Sequence, residues 1–231
     1  MQWYNILYKL NSREMRPIVY TTVYGNYDNL KDQPDIGADY ICFTDNPNLK
    51  SDTWDIRYEP IYQHLHPRLR AKFHKLICPF DTLSLFIDGS IQITDPAIID
   101  KLSNFLHNGW AVYTHPSGRD CIESELELSL PLEKYKGQPM QEQVDYYFSQ
   151  GFPKHYGLWA CGVMLRDGKF SDFGSKWMLE NLAWSYQDQL SLPYLLWKED
   201  FKIDTITLDQ YACFNRLGDE LFKIYAHNHN G

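Results

Sequence analysis

An acidic loop that follows a predicted buried strand is the first candidate for chemistry in this sequence. Residues 83–87, LSLFI, form a mainly apolar run, and Asp88-Gly89-Ser90 follows it directly. Such a run predicts a strand that is covered on both faces, as in mainly parallel sheets, where ligands bind beyond the carboxyl ends of the strands. Several cations lie on a predicted helix just before this strand: Arg68, Arg70, Lys72 and Lys75. The combination suggests a site for an anionic group such as a nucleotide phosphate, with or without a metal.

Ordinary structural roles also fit these residues. An Asp-Gly pair after a strand is common in turns that carry no chemistry. Cations at helical spacing, as at Arg68, Lys72 and Lys75, also occur on solvent-exposed helix faces.

Two other predicted strands end in polar residues. The β-branched run 18–23 leads into Tyr24-Gly25, and the run 40–44 is followed by Asp45. Because parallel strands end at one edge of a sheet, these groups should lie near Asp88. A nucleoside could bind there, with the Tyr24 ring as a stacking face.

Length and composition limit the alternatives. A chain of 231 residues with 44% hydrophobic residues can fill a sizeable core, so we predict one domain over 1–231. The net charge of -8 argues against a general nucleic-acid-binding protein. The five scattered cysteines fit reduced thiols and a cytoplasmic location. The first 17 residues lack the apolar run of a membrane span or signal peptide.

Strands and helices alternate along the predicted chain. Besides the elements above, we predict strands over 54–58, 110–114, 157–165, 203–208 and 221–225, and helices over 96–107, 120–135, 140–150, 169–184 and 187–197. The alternation predicts an α/β fold with one mixed, mostly parallel sheet and helices on both faces.

Six ordered segments carry a resemblance to a known family. They are Tyr20–Asp28, Phe43–Asp45, Arg70–Leu76, Phe86–Ile93, His115–Asp120 with Glu123, and Asp188–Ser191. With them the chain resembles nucleotide-sugar-dependent glycosyltransferases of the GT-A type. It is most similar to the glycosyltransferase-like family that includes plant TOD/MUCI-type proteins and many bacterial proteins.

The resemblance implies a single GT-A-like domain, with a nucleotide-binding part over about 17–95 and an acceptor-side part over about 96–231. It implies transfer of a hexosyl or pentosyl group from a nucleotide-diphospho-sugar, a UDP-sugar above all, to a hydroxyl of a glycan or lipid-linked acceptor. The role would be in polysaccharide or glycan synthesis. Nucleic acid is not an expected partner, and association with a membrane surface stays open.

The resemblance also assigns residues to parts of the site. The nucleotide would be held by Thr21, Thr22, Tyr24, Gly25, Asp45, Arg70, Lys72 and Lys75, the last three at the diphosphate. Asp188 and Asp88 would act at the reacting centre, although Asp188 at a helix start also fits an ordinary helix cap. Contacts to the sugar or acceptor would come from His115, Arg119, Glu123, Trp159, Gly162 and Gln189.

A divalent metal, manganese or magnesium, is the expected cofactor of this resemblance. GT-A enzymes bind it through Asp-x-Asp, and here Ser90 stands in place of the second carboxylate. Either Asp88 and Ser90 share the metal with His227 or His229, or no metal is needed. The histidines also fit a frayed polar end.

Two other functions compete with glycosyl transfer. Paired carboxylates such as Asp88 and Asp188 also serve hydrolysis of a sugar or glycolipid substrate. A non-catalytic nucleotide-sugar-binding protein could retain the same fold. Whether transfer would retain or invert the anomeric configuration is open.

Overall fold

The computed structural model describes residues 16–168, 170–207 and 221–226. Its strands are β1 (Ile18–Val23), β2 (Asp39–Thr44), β3 (Asp55–Tyr58), β4 (Leu83–Ile87), β5 (Ile91–Ile93), β6 (Trp110–Thr114), β7 (Trp159–Asp167), β8 (Asp204–Ile206) and β9 (Phe222–Ile224). Its helices are α1 (Pro67–Leu76), α2 (Ile98–Ser103), α3 (Ile122–Ser129), α4 (Met140–Ser149), α5 (Ser171–Ala183) and α6 (Asp188–Lys198), with a 3-10 helix at Glu133–Tyr135.

The described strands form a mixed, mostly parallel sheet, which confirms the predicted fold class. Seven of them are ordered β3-β2-β1-β4-β7-β6-β8. Neighbours are parallel except at β7, which runs antiparallel to β4 and to β6. β1, β2 and β4 therefore end at one edge, so the polar residues that follow them meet there.

Side chains that alternate along the strands build a core on each face of the sheet. Val19 and Val23 pack on one face, together with Ile98 of α2. Tyr20 packs on the other face in a cluster that includes Trp177 of α5, and this cluster also takes in residues of α1 and α6. Helices thus cover both faces, as the strand pattern predicts.

A third core joins α3, α4 and α6 beside the sheet. It contains Ile122 and Leu126 of α3, Val144 of α4, and Leu190 and Tyr194 of α6. This packing fixes the start of α6 opposite α1.

Helix α1 is held close to α5 at its carboxyl end. A Cβ atom on Gly174 would lie 2.4 Å from the carbonyl oxygen of Leu76, so a larger residue would push the two helices apart. The same helix begins with Pro67 at its first turn, where proline costs no hydrogen bond.

Several local predictions differ from the structure; the strand predicted over 157–165, for example, spans Trp159–Asp167. The region 120–135 is divided into α3 and the 3-10 helix, because Pro131 between them has no N–H for a helical bond. The helix predicted over 96–107 stops at Ser103, where Phe105 N–H bonds instead to the nearer carbonyl of Leu102. The strand predicted over 203–208 spans Asp204–Ile206, and position 208 lies outside the described residues.

Strand β5 was not predicted. It pairs with β9 in a separate two-stranded antiparallel sheet. The Tyr225 N–H also donates to the carbonyl of Ser90 at 2.9 Å. The loop that contains Asp88 is therefore tied to a segment from the far end of the described chain.

In the described part of the chain, no helix is long and apolar enough to cross a membrane.

Candidate functional site

A cleft lies at the edge where β1 and β4 end. Its cavity volume of about 170 Å³ is several times the roughly 30 Å³ that one water molecule takes up in the liquid, so it has room for a ligand. The walls come from the β1 end, α1, the loop after β4, β7, the 3-10 helix and the start of α6. The lining residues are Thr22, Val23, Tyr24, Tyr27, Asp28, Arg68, Ala71, Lys72, Lys75, Asp88, Gly89, Lys134, Tyr135, Cys161, Gly162, Tyr186, Gln187, Asp188 and Gln189.

Two lysines and two aspartates form a connected ion-pair network in the inner part of the cleft. Lys72 Nζ and Lys75 Nζ both bind Asp188 Oδ2, at 2.7 and 2.9 Å. Lys75 Nζ also binds Asp88 Oδ1 at 3.1 Å. We call these four residues the cleft network. Lys72 and Lys75 are one helical turn apart on α1, so both ammonium groups point to the same side.

Burial makes the cleft network electrostatically strong. The side chain of Asp188 is 6% exposed and that of Lys75 is 8% exposed. Burial opposes the charged form of Asp188, but Lys72 and Lys75 outweigh it and hold the pKa of its carboxyl well below the usual range. Burial likewise opposes the charged form of Lys75, yet Asp188 and Asp88 raise its pKa above the usual range. Both groups are therefore charged at neutral pH.

Asp188 does not act as a helix cap. It is the first residue of α6, and the preceding N-cap residue Gln187 makes no side-chain capping bond. The carboxylate of Asp188 is bound by the two lysines through Oδ2, and among the described residues Oδ1 has no hydrogen-bond partner. One oxygen of Asp188 is therefore free to accept a bond from a ligand.

Two glycines allow close packing around Asp88. A Cβ atom at Gly162 would lie 3.1 Å from Asp88 Oδ2, and one at Gly89 would lie 2.9 Å from Cγ2 of Val23. The Asp88 N–H donates to the Gly162 carbonyl at 2.8 Å. β7 thus fixes the backbone of Asp88 directly.

Asp45, Arg70 and Gly25 lie behind the cleft rather than among its lining residues. Asp45 Oδ2 binds Arg70 Nη2 at 2.8 Å, and Asp45 Oδ1 accepts from the Gly25 N–H at 3.0 Å. Gly25 has a φ of +68°, and a Cβ there would lie 2.6 Å from Pro67. The three residues connect the ends of β1 and β2 to α1.

The β1 residues differ in their access to the cleft. Thr21 is fully buried, whereas Thr22 lines the cleft. Tyr24 lines the cleft but is only 2% exposed, with the Arg70 guanidinium 5.6 Å from its ring centroid. Tyr27, which is half-buried and also lines the cleft, offers a more accessible ring.

The outer part of the cleft contains Arg68 together with groups that the sequence did not indicate. Arg68 Cζ lies 4.1 Å from the Tyr27 ring centroid, and Lys134 Nζ lies 4.7 Å from that of Tyr135. Tyr186 also lines this part. Arg68 belongs to the group of cations for which the sequence suggests an anion site, whereas the position of Lys134 depends on the unpredicted 3-10 helix.

A second polar network lies next to the cleft, centred on Glu125. Glu125 Oε2 pairs with Arg119 Nη2, which also donates to His115 Nε2 at 3.0 Å. Glu125 Oε1 accepts from Gln187 Nε2 at 2.7 Å and from Ser129 Oγ at 3.2 Å. We call these five residues the Glu125 network. Burial and the Arg119 charge lower the pKa of His115 to about 4, so its imidazole is neutral at neutral pH.

Gln187 connects this network to the cleft. Its Oε1 accepts from the Tyr135 hydroxyl at 2.9 Å, and Gln187 itself lines the cleft beside Asp188. His115 and Arg119, predicted to contact substrate, lie behind this connection and not among the lining residues.

Glu125 was missed, whereas Glu123 and Trp159 were predicted and do not line the cleft. Glu123 pairs with Lys154 at 2.8 Å and is 45% exposed. The Trp159 indole N–H donates to Thr205 Oγ1 at 3.0 Å. The signal for Glu125 was the helical spacing of the buried α3 residues Ile122, Glu125, Leu126 and Ser129.

A divalent metal does not fit the described residues on their own. Asp88 Oδ1 is bound by the ammonium of Lys75, and Ser90 is buried rather than part of the lining. Within the ranges that the structure describes, no group of three His, Cys, Asp or Glu side chains could hold a metal. His227 and His229, the other predicted ligands, lie outside those ranges.

The chain was compared with known proteins in three ways. No protein-family model matches it, and no curated protein sequence does. Among solved structures, it is similar to the apo structure of WbbM, a bifunctional glycosyltransferase, with a TM-score of 0.46 and 12% identity. The match covers 80% of this chain and 38% of that chain, so this chain spans well under half of the WbbM length.

Proposed function

We propose that this chain is a glycosyltransferase that moves a sugar from a nucleotide-diphospho-sugar to a hydroxyl acceptor. The observation that carries the proposal is the cleft network at the carboxyl ends of parallel strands, where nucleotides bind in α/β sheets. It combines fixed cations for a departing diphosphate with carboxylate oxygens for a hydroxyl.

The first need of this reaction is stabilisation of the leaving diphosphate. Lys72 and Lys75 are held in place before any substrate arrives, and preorganised charges in a buried site stabilise developing charge without reorganisation. The raised pKa of Lys75, which Asp188 and Asp88 sustain against burial, keeps this cation protonated.

The second need is to position the acceptor hydroxyl. Oδ1 of Asp188 and Oδ2 of Asp88 are the oxygens that the lysines leave free in the described structure. Either can accept a hydrogen bond from a hydroxyl and hold it next to the anomeric carbon. Because Lys72 and Lys75 hold the pKa of Asp188 low despite burial, this residue is suited to orientation and charge stabilisation more than to strong base catalysis.

We further propose that the donor is a UDP-sugar, that the acceptor is a glycan or lipid-linked glycan, and that the protein functions in the cytoplasm. The nucleoside would lie against Thr22, Tyr24 and Tyr27. If a metal assists, Asp88 would have to release Lys75, so chelator sensitivity tests that part of the proposal separately.

The test is a screen of nucleotide-diphospho-sugars by thermal shift, followed by turnover with glycan acceptors. A ligand that binds only the folded state raises the melting temperature. Lys72→Gln should weaken nucleoside diphosphate binding by about tenfold or more, because a charged hydrogen bond is lost. The control is Lys101→Gln, which changes an exposed lysine paired with Asp95.

The outcomes of this test distinguish the three candidate functions. Transfer to an acceptor supports the glycosyltransferase, release of free sugar without an acceptor identifies a hydrolase, and binding without turnover identifies a non-catalytic binding protein. Absence of binding by every nucleotide sugar would overturn the proposal.

A further inference from the structure

The cations of the inner cleft are already neutralised by the protein. Lys72 and Lys75 share the carboxylates of Asp188 and Asp88, and their four formal charges sum to zero. Arg70, behind the cleft, is likewise paired with Asp45. A diphosphate that binds Lys72 and Lys75 therefore meets no net positive charge from the cleft network itself.

Two cations of the outer cleft are in a different situation. Arg68 and Lys134 both line it, and neither makes an ion pair with any carboxylate in the described ranges of the chain. Each lies over an aromatic ring, Tyr27 and Tyr135 respectively, which leaves the N–H donors available. Arg68 comes from the first turn of α1 and Lys134 from the 3-10 helix, so the two face the ligand space from opposite elements.

The two cations also repel each other. Desolvation by the cleft wall and the charge of Arg68 lower the pKa of Lys134, although this residue is exposed and the nearby carboxylates of Asp188 and Asp88 act in the opposite direction. An anion bound between Arg68 and Lys134 would relieve this repulsion.

An aromatic stack fixes the geometry of this region. The ring centroids of Tyr27 and His66 are 6.2 Å apart, and those of His66 and Tyr186 are 5.0 Å apart, with nearly parallel planes. The Tyr186 hydroxyl donates to the Lys134 carbonyl oxygen, which ties the 3-10 helix to the stack. Since Arg68 and Lys134 lie over the rings of Tyr27 and Tyr135, the aromatic residues hold the two cations in position for a negative group on a ligand.

We propose that Arg68 and Lys134 form a second anion site in the outer cleft, which takes a phosphate or carboxylate group of a carbohydrate substrate. The carbohydrate part of this statement rests on the proposed function. The anion has two candidate sources, the diphosphate of the donor and an acidic sugar residue of the donor or acceptor.

The experiment measures dissociation constants by calorimetry at one fixed, low ionic strength, because salt screens exposed charges. The variants are Arg68→Gln and Lys134→Gln. Their controls are Arg57→Gln, at an exposed arginine paired with Asp55, and Lys136→Gln, at an exposed lysine two positions beyond Lys134. The probes are inorganic pyrophosphate, uridine diphosphate and a uronic acid trisaccharide, with uridine and a neutral trisaccharide for comparison.

We expect both variants to bind at least one anionic probe about tenfold more weakly than the unmodified chain does. The affinities for the neutral probes, and all affinities of the control variants, should be unchanged. Weaker binding of pyrophosphate and uridine diphosphate would identify the donor diphosphate as the source of the anion. Weaker binding of the uronic acid trisaccharide would identify an acidic sugar as its source. Melting temperatures close to that of the unmodified chain would exclude misfolding.

Unchanged affinity for all three anions in both variants would overturn the site, as would failure of the unmodified chain to bind any of them. Failure of the proposed function looks different. In that case anion binding would depend on Arg68 and Lys134 although no nucleotide sugar is turned over.

Discussion

The cleft network and the Glu125 network are made of similar groups but differ in what surrounds them. Lys75 and Asp188 face a ligand-sized cleft and leave carboxylate oxygens free. Glu125 is also buried, but both of its oxygens are occupied, by Arg119 on one side and by Gln187 and Ser129 on the other. The first arrangement can exchange protein partners for substrate, whereas the second has its bonding capacity filled internally.

This comparison predicts different effects of substitutions in the two networks. Changes in the cleft network should lower both turnover and the free energy of unfolding, whereas changes in the Glu125 network should lower mainly the free energy of unfolding. Gln187 belongs to the Glu125 network and also lines the cleft, so it marks the boundary between the two.

Among the predicted substitutions, Asp188→Asn should have the largest effect on turnover and on the free energy of unfolding. Removing one partner of a buried ion pair costs about 3–5 kcal/mol of stability, and losing the charge that positions the reacting groups should lower turnover by about 10²-fold or more. The measurements are chemical denaturation and turnover at saturating donor, corrected for the folded fraction.

A double variant keeps this test clear if the single variant is too unstable. Asp188→Asn combined with Lys72→Met removes both charges of one pair, so it should regain part of the stability without regaining turnover. Normal turnover in folded Asp188→Asn protein would remove Asp188 from the reacting centre.

Glu125→Gln should mainly destabilise the fold. The substitution removes the charge of the buried Glu125 and leaves the partly buried Arg119 without its carboxylate, so we expect a loss of about 3 kcal/mol in denaturation experiments. Turnover of the folded molecules should change by only a few fold.

Glu123→Gln on the same helix is the matched control. Its pair with Lys154 is exposed and screened by solvent, so this change should leave the free energy of unfolding almost unchanged. Equal destabilisation by the two changes would contradict the buried role of Glu125, and a 10²-fold loss of turnover in Glu125→Gln would place it in the reacting site.

The smallest predicted effect is the pH dependence that His115 contributes. Burial and Arg119 lower its folded pKa from 6.5 to about 4, so its contribution is fully present above pH 6.5 and is lost as pH falls to about 4. The unfolded chain binds the extra proton in this range, so the free energy of unfolding decreases as the pH falls.

His115→Gln keeps an acceptor for Arg119 but cannot titrate. Denaturation midpoints between pH 4.5 and 7 should therefore fall less steeply in this variant than in the unmodified chain. Identical slopes would show that His115 is not held neutral by its surroundings.

The sheet could be predicted from the sequence because its main strands each show a local pattern of β-branched or apolar residues. The β-branched run 18–23 and the apolar run 83–87 became β1 and β4 with the predicted bounds. Strand β5 was not predictable in this way, because three residues carry little periodicity and its partner β9 is remote in the chain.

The candidate site was predictable where one strand end or one helix face supplied it. Asp88, Lys72 and Lys75 were placed in this way and do line the cleft. Lys134 was not, because its position depends on the break at Pro131 and on packing against Tyr186. Glu125, unlike the predicted Glu123, shares the helical spacing of Ile122, Leu126 and Ser129, and that spacing indicates the buried face of α3.

The hydrogen bonds between β5 and β9 have a consequence for the order of folding. The Tyr225 hydroxyl donates to the side-chain oxygen of Gln92, a residue 133 positions earlier, and its N–H binds the loop of Asp88. Contacts so far apart in sequence form late, because the loop between them must close first. On a ribosome, β1 to β4 can assemble while the segment that secures the Asp88 loop is still unsynthesised. The nascent protein should therefore acquire the β1–β4 part of its sheet well before it acquires a ligand-competent cleft.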